Sequence, residues 1–102
     1  MMLAIDWQRF KKKALKKFKS DGALEEALDA WYTAISNFTG TKPNDLKKCF
    51  SYVDVVPPQT VFNIRGNNYR LIAELDYQCG ICVPTHFLSH QEYDKNKWKV
   101  IS

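Results

Sequence analysis

The sequence predicts a single α+β domain, a small antiparallel sheet packed on N-terminal helices with a short C-terminal helix. Three observations carry this. Apolar residues in the first forty positions recur at helical spacing. From residue 61 the period changes to two, the mark of strands with distinct faces. Two Gly-containing turns separate those strands, as an antiparallel meander requires. A run of helices followed by a run of strands is the α+β pattern, with the helices on one sheet face and the other face partly open.

Met2 to Ile5 is short and apolar and reads as an edge strand, and Asp6 is placed to cap the helix that follows. In that helix Trp7, Phe10, Ala14 and Phe18 share one face, with most lysines elsewhere on the wheel. Asp21 and Gly22 interrupt it. Leu24, Ala27, Leu28, Trp31, Ile35 and Phe38 then line a second helix that ends near Gly40, with Glu25 and Glu26 favourably placed in its first turn. Pro43 suits the start of a third, short helix through Cys49. Val61 to Ile64 reads as a strand and Arg65-Gly66-Asn67-Asn68 as a turn. Tyr69, Leu71, Ala73, Leu75 and Tyr77 alternate with Arg70, Ile72, Glu74 and Asp76 in the central strand. Gln78-Cys79-Gly80 turns the chain into a strand from Ile81 to Leu88. Ser89 then caps a final helix from His90 to Trp98.

A chain of 102 residues supports one domain with a modest core, here residues 1–102. Its hydrophobic share of 45% argues against disorder. No apolar run approaches the roughly 20 residues of a membrane span, and the basic N-terminal segment lacks the apolar stretch and cleavage site of a signal peptide. Three cysteines, an odd number, then fit a reducing cytoplasm. The net charge is +4 and unevenly spread. Residues 1–20 hold Arg9, Lys11, Lys12, Lys13, Lys16, Lys17 and Lys19 against Asp6, whereas residues 21–41 hold Asp21, Glu25, Glu26 and Asp29 and no base. Such adjacent stripes steer a protein to a polyanion and leave room for self-contact or a protein partner; ordinary solvated helix faces give the same pattern.

Cys79-Gly80-Ile81-Cys82 is the most visible motif. A redox CxxC uses a helix N-terminus to stabilise its thiolate, and this one falls at a hairpin turn. A zinc set of Cys79, Cys82, His86 and His90 fails on reach. If Cys82, His86 and His90 share a strand, successive members stand about 13 Å apart at roughly 3.3 Å per residue, beyond one tetrahedral ion. Neither a metal nor another cofactor is expected.

Arg70 lies on a strand near Asn63, Asn67 and Asn68, where its planar fork suits a phosphate; pairing with Glu74 or Asp76 is the plain alternative. His90, Tyr93 and Asp94 stand at i, i+3 and i+4 and project to one side of the last helix. His supplies a near-neutral proton carrier and Tyr a surface for a base, although the same residues also make an ordinary helix cap with Ser89 and Glu92. Lys47 and Lys48 on the third helix add positive charge.

Taken together, VFNIRGNNYRLIAELDY and FLSHQEYDKNKW resemble the HigB toxin family, whose members carry an FN-x-GGN-x-YRL-like strand–turn–strand and a closing TH-x-EYD. The upstream PNDLKKCFSYVDVV and the Ala30-Trp31-Tyr32 step resemble that family as well. Asn63, Gly66, Asn67, Tyr69 and Arg70 match the first motif, and His90, Glu92, Tyr93 and Asp94 the second. Three positions depart. Arg65 stands where a second glycine is usual, Ser89 replaces threonine, and Thr85, after Pro84, stands where many relatives carry an arginine. The last departure removes one phosphate contact. His86 beside it is expected to point to the opposite face.

The resemblance implies a RelE-like fold and a ribosome-dependent endoribonuclease that cuts translated mRNA. It also implies a HigA-like antitoxin with a helix-turn-helix domain, through which alone the pair meets operator DNA. The reaction is attack of an RNA 2′-hydroxyl on its own 3′-phosphate without a metal. It needs a base, positive charge on the developing phosphorane and an acid for the leaving oxygen. Arg70 is the expected phosphate stabiliser, His90 the acid or base, and Tyr93 the residue that orients or stacks on substrate. Lys47, Lys48, Asn63, Asn67 and Asp94 are the candidate substrate-binding residues. A non-catalytic RNA- or protein-binding module shares the basic surface and the aromatic residues, and a thiol enzyme using Cys79 and Cys82 is a third reading.

Overall fold

A computed structural model describes residues 2–18, 22–50, 52–66 and 68–95. The elements in chain order are β1 (Leu3–Ala4), α1 (Trp7–Lys17), α2 (Gly22–Ser36), α3 (Pro43–Cys49), β2 (Val53–Val56), β3 (Gln59–Ile64), β4 (Tyr69–Asp76), β5 (Ile81–Ser89) and α4 (His90–Asp94). The strands form one sheet in the order β1-β5-β4-β3-β2.

β2 to β5 make the expected antiparallel meander. The predicted edge strand is present but runs parallel to β5, with Leu3 opposite Ile81 and Ala4 opposite Cys82, so the sheet is mixed. β2 escaped the sequence reading because its four residues follow Tyr52 directly and show little alternation in burial. β3 begins two residues early, at Gln59, and both added residues are buried. α4 ends at Asp94; the predicted continuation to Trp98 lies outside the described residues.

Period decides which side chains form the core. Trp7 and Ala14 of α1, Leu24, Leu28, Trp31 and Ile35 of α2, and Leu46 of α3 meet Phe62, Ile64, Leu71, Ala73, Cys82 and Phe87 from the sheet. Aromatic rings dominate the seam. Trp7 stacks on Tyr32 at 5.2 Å, Trp31 meets Phe62 edge-on at 5.4 Å, and Tyr69 stacks on Phe87 at 5.4 Å. Phe38 lies just past α2 and is still buried. Gly40 follows because a Cβ there would run into the Phe38 ring and Asp45.

Asp6 does occupy the cap position of α1, but its backbone is left-handed (φ 52°) and its side chain makes no capping bond. The expected side-chain cap is therefore replaced by geometry alone. The second sheet face is also less open than expected. Val61 and Ile72 are buried there under Val56, Leu88 and Tyr93. α4 folds back over this face and places its tyrosine on it.

β5 carries an irregularity. Ile72 pairs with His86 and Ala73 with Pro84, which leaves Thr85 as the extra residue of a bulge. Proline cannot donate to a ladder, and a bulge is where a sheet tolerates it. The Thr85 hydroxyl donates to the Ile72 carbonyl (3.1 Å), and His86 Nδ1 lies 3.0 Å from that hydroxyl. The two neighbours thus meet instead of pointing to opposite faces, because the bulge breaks the alternation between them.

Candidate active site

The register of the sheet builds the site. Pairing of Val53 with Phe62 and of Asn63 with Arg70 brings Tyr52, Asn63 and Arg70 across three neighbouring strands, and the Asn63 N–H reaches the Tyr52 carbonyl at 3.4 Å. Side chains directly opposite in a sheet share a face. Asn63, Arg70 and Tyr52 line a cavity of about 330 Å³ with Lys47, Val53, Asp54 and Tyr93. α3 delivers Lys47, α4 delivers Tyr93, and the sheet forms the floor.

Arg70 is only 7% exposed. A buried guanidinium needs partners, and three lie nearby. Nη1 donates to the Tyr69 carbonyl (3.2 Å), Nη2 lies 3.2 Å from His90 Nδ1, and the guanidinium carbon stands 5.2 Å from the centre of the Tyr93 ring. Guanidinium nitrogens only donate. His90 Nδ1 must therefore accept, and the ring proton sits on Nε2, which faces Asp94 Oδ2 at 3.4 Å. Both imidazole nitrogens are engaged. Burial pushes the Tyr93 hydroxyl pKa up; the charge of Asp54 adds to this and that of Arg70 opposes it.

α4 is tied down at its first turn. Ser89 Oγ accepts from the Glu92 N–H (3.2 Å) and Glu92 Oε1 accepts from the Ser89 N–H (3.1 Å), a complete capping box. The other carboxylate oxygen of Glu92 meets Lys17 at 3.0 Å, and Lys17 also donates to the Phe87 carbonyl at 3.2 Å. The His90 N–H donates to the Asn68 carbonyl (3.0 Å), so the β3–β4 turn is fastened to α4 as well. In that turn Arg65 and Gly66 are both left-handed, at φ 53° and 64°. Arg65 thus takes a conformation that favours glycine.

The structure gathers Arg70, His90, Tyr93, Asn63 and Lys47 into one neighbourhood. His90 reaches the cavity through Arg70, and Asp94 through His90. Lys48 stays out: its side chain is 80% exposed and faces Asp45 at 3.8 Å. Asn67 lies outside the described residues. Thr85 lines a different groove, beside α1, so its departure from the family pattern does not touch this cavity. Tyr52, 73% exposed at the rim, and Asp54 were missed by sequence reasoning. Recognising β2 would have exposed them, since Tyr52 and Asp54 then fall on the face of Arg70.

The cysteines make no shared site. Cys49 and Cys79 are exposed and Cys82 is buried in the core, all three as free thiols. Burial raises the Cys82 thiol pKa to about 12, and the hydrogen bond and charge of Asp76 raise that of Cys79. Neither favours a reactive thiolate. Among the described residues no group of His, Cys, Asp and Glu could hold a metal ion, and no helix is long and apolar enough to cross a membrane.

The fold is thus RelE-like, with α1 to α3 on one side of a five-stranded sheet and a cationic cleft flanked by α4 on the other. Residues 24–96 match the model of the HigB_toxin family, described as the RelE-like toxic component of a toxin–antitoxin system. The chain belongs to this family, and an antitoxin is therefore its partner. No curated protein matches the chain.

Proposed function

We propose that this toxin is an endoribonuclease that cleaves translated mRNA on the ribosome in the cytoplasm, and that a HigA-like helix-turn-helix antitoxin restrains it and links the pair to operator DNA. The observation that carries the reading is the buried Arg70 guanidinium, held by His90 and Tyr93 at the floor of a cleft that also presents Lys47 and Asn63.

The chemistry is attack of a 2′-hydroxyl on the adjacent phosphate. Arg70 and Lys47 stabilise the charge gathering on the phosphorane oxygens, a contribution of roughly 10²–10³-fold for one well-placed donor. Tyr93 and Asn63 hold the nucleotide. His90 takes up or gives away a proton only after Nδ1 releases Arg70 or Nε2 releases Asp94, so RNA or the ribosome must take over one of these contacts. The same engagement of both nitrogens favours the second reading, a module that grips RNA without cutting it.

Induced expression of the chain alone, with primer extension on a reporter mRNA, separates the two. Growth arrest with new 5′ ends confined to translated codons is the expected result. Arg70→Ala is expected to abolish both while remaining folded by circular dichroism. Healthy growth with intact mRNA, despite folded protein, sinks the nuclease reading and leaves the binding module.

A further inference from the structure

Two side chains of the cleft have no part in the chemistry above. Tyr52, just before β2, and Asp54, within it, stand two residues apart, so alternation puts both on the face of Arg70, and both line the cleft. The Tyr52 ring is 73% exposed, whereas Tyr93 is half-buried and lies against Arg70. Asp54 is the one carboxylate among the described residues of the lining, and it is exposed as well. Among the described residues no ring contact engages the Tyr52 side chain, and neither a hydrogen bond nor an ion pair engages that of Asp54.

That combination is odd for a site that only grips phosphate. A carboxylate there repels the backbone of the nucleic acid, and its neighbours Lys47 and Arg70 do not neutralise it by pairing. What an unpaired, ionised aspartate offers is two acceptors and no donor. What an exposed tyrosine offers is a flat surface on which an unstacked base can lie. Two strand spacings of about 4.8 Å separate β2 from β4, so Tyr52 stands roughly 10 Å from Arg70 across the sheet, about the reach of a nucleotide from its phosphate to the far edge of its base.

We propose that Tyr52 and Asp54 form a nucleobase subsite that selects guanine: the base stacks on the Tyr52 ring and its Watson–Crick edge donates to the Asp54 carboxylate. Guanine alone among the four bases carries two neighbouring donors on that edge, N1–H and the N2 amino group, and so meets both carboxylate oxygens at once. Adenine and cytosine present one amino group beside a ring nitrogen whose lone pair faces the carboxylate. Uracil presents a single N–H between two carbonyls. Phosphate contacts at Arg70 and Lys47 position the strand, and the β2 pair reads it. The inference rests on the cleft being an RNA site, which the nuclease and the non-cleaving module share, and not on cleavage.

The test is the binding of the purified chain to fluorescein-labelled 2′-O-methyl pentamers that carry guanine, adenine or uracil at the centre of a uridine strand, followed by anisotropy. These probes lack the attacking hydroxyl, so the result does not depend on nuclease activity. The guanine probe is expected to bind wild type about 10-fold tighter than the uracil probe, as for one bidentate base contact. Asp54→Asn puts a donor beside an acceptor, which matches the adenine edge. It is expected to lose the guanine preference and favour adenine at an unchanged melting temperature, a switch that a merely structural role would not produce. Tyr52→Ala is expected to weaken the guanine probe about 10-fold, and Tyr52→Phe, which keeps the ring, to bind it as wild type does. Guanine and uracil probes bound equally within twofold overturn the proposal while leaving the RNA reading in place. Guanine preference retained in Asp54→Asn, or full affinity in Tyr52→Ala, does the same. Failure of the wild type to bind any probe overturns the subsite and the RNA reading together.

Discussion

At the scale of single residues, Arg65 shows what a family departure costs. Its φ of 53° belongs to the left-handed region, where a side chain adds about 1–2 kcal/mol. Glycine would remove that strain but add freedom to the unfolded chain, roughly 0.5–1 kcal/mol the other way. Arg65→Gly is therefore expected to stabilise the fold by about 0.5 kcal/mol net, a rise of roughly 3 °C in melting temperature. A lower melting temperature would show that contacts of the arginine outweigh the strain. The candidate site was legible at this scale only in part. Arg70, His90 and Tyr93 stood out by type and spacing, yet their mutual contacts depend on a fold-back of α4 over the sheet that no local pattern encodes. Asp54 and Tyr52 carried no signal until their strand was known.

At the scale of elements, α4 is five residues long and cannot persist by propensity alone. Its capping box and the Lys17 contact hold it. Ser89→Ala removes the cap at a cost of about 1 kcal/mol, within the range for such replacements. The expected readout is faster hydrogen exchange at residues 90–94 and weaker toxicity, with the rest of the fold unchanged. Burial raises the Glu92 carboxyl pKa, but the Ser89 N–H and the Lys17 charge outweigh it and leave the value below the usual glutamate range. A carboxyl with a depressed folded pKa gives stability above its unfolded pKa and loses it as pH falls through the folded one. The order of α4 is therefore expected to hold at neutral pH and to fade in acid, below the ordinary glutamate range, as followed by amide exchange or the shifts of Tyr93. α1, α2 and α3 were legible because an amphipathic face repeats over several turns. β2 was not, because four residues show too little alternation to tell a strand from a loop, whereas β1 was legible as an edge strand from its short apolar run.

At the scale of the whole molecule, α2 is the keel. Leu24, Leu28 and Ile35 are almost wholly buried between sheet and helices. Leu28→Ala opens a cavity that its neighbours cannot fill and is expected to cost about 2–5 kcal/mol, a large share of the stability of a domain this size. Denaturant unfolding monitored by tryptophan fluorescence measures it. A cost below 1 kcal/mol would mean that the seam collapses onto the gap. The α+β class was legible because the change of period is a global signal. The parallel pairing of β1 was not, because register between distant segments is decided only when the sheet closes.

That pairing bears on synthesis. Leu3 waits for Ile81, and Lys17 waits for Phe87 and Glu92. Contacts this far apart in sequence form late, since a long loop must close before they return any energy. While the chain is still being translated, the aromatic face of α1 has no strand to rest on and α4 does not yet exist. A nascent toxin is accordingly unarmed until β5 has emerged. A chain stopped before Ile81 is expected to be protease-sensitive and harmless when expressed; a folded, growth-inhibiting fragment of that length would contradict this order of assembly.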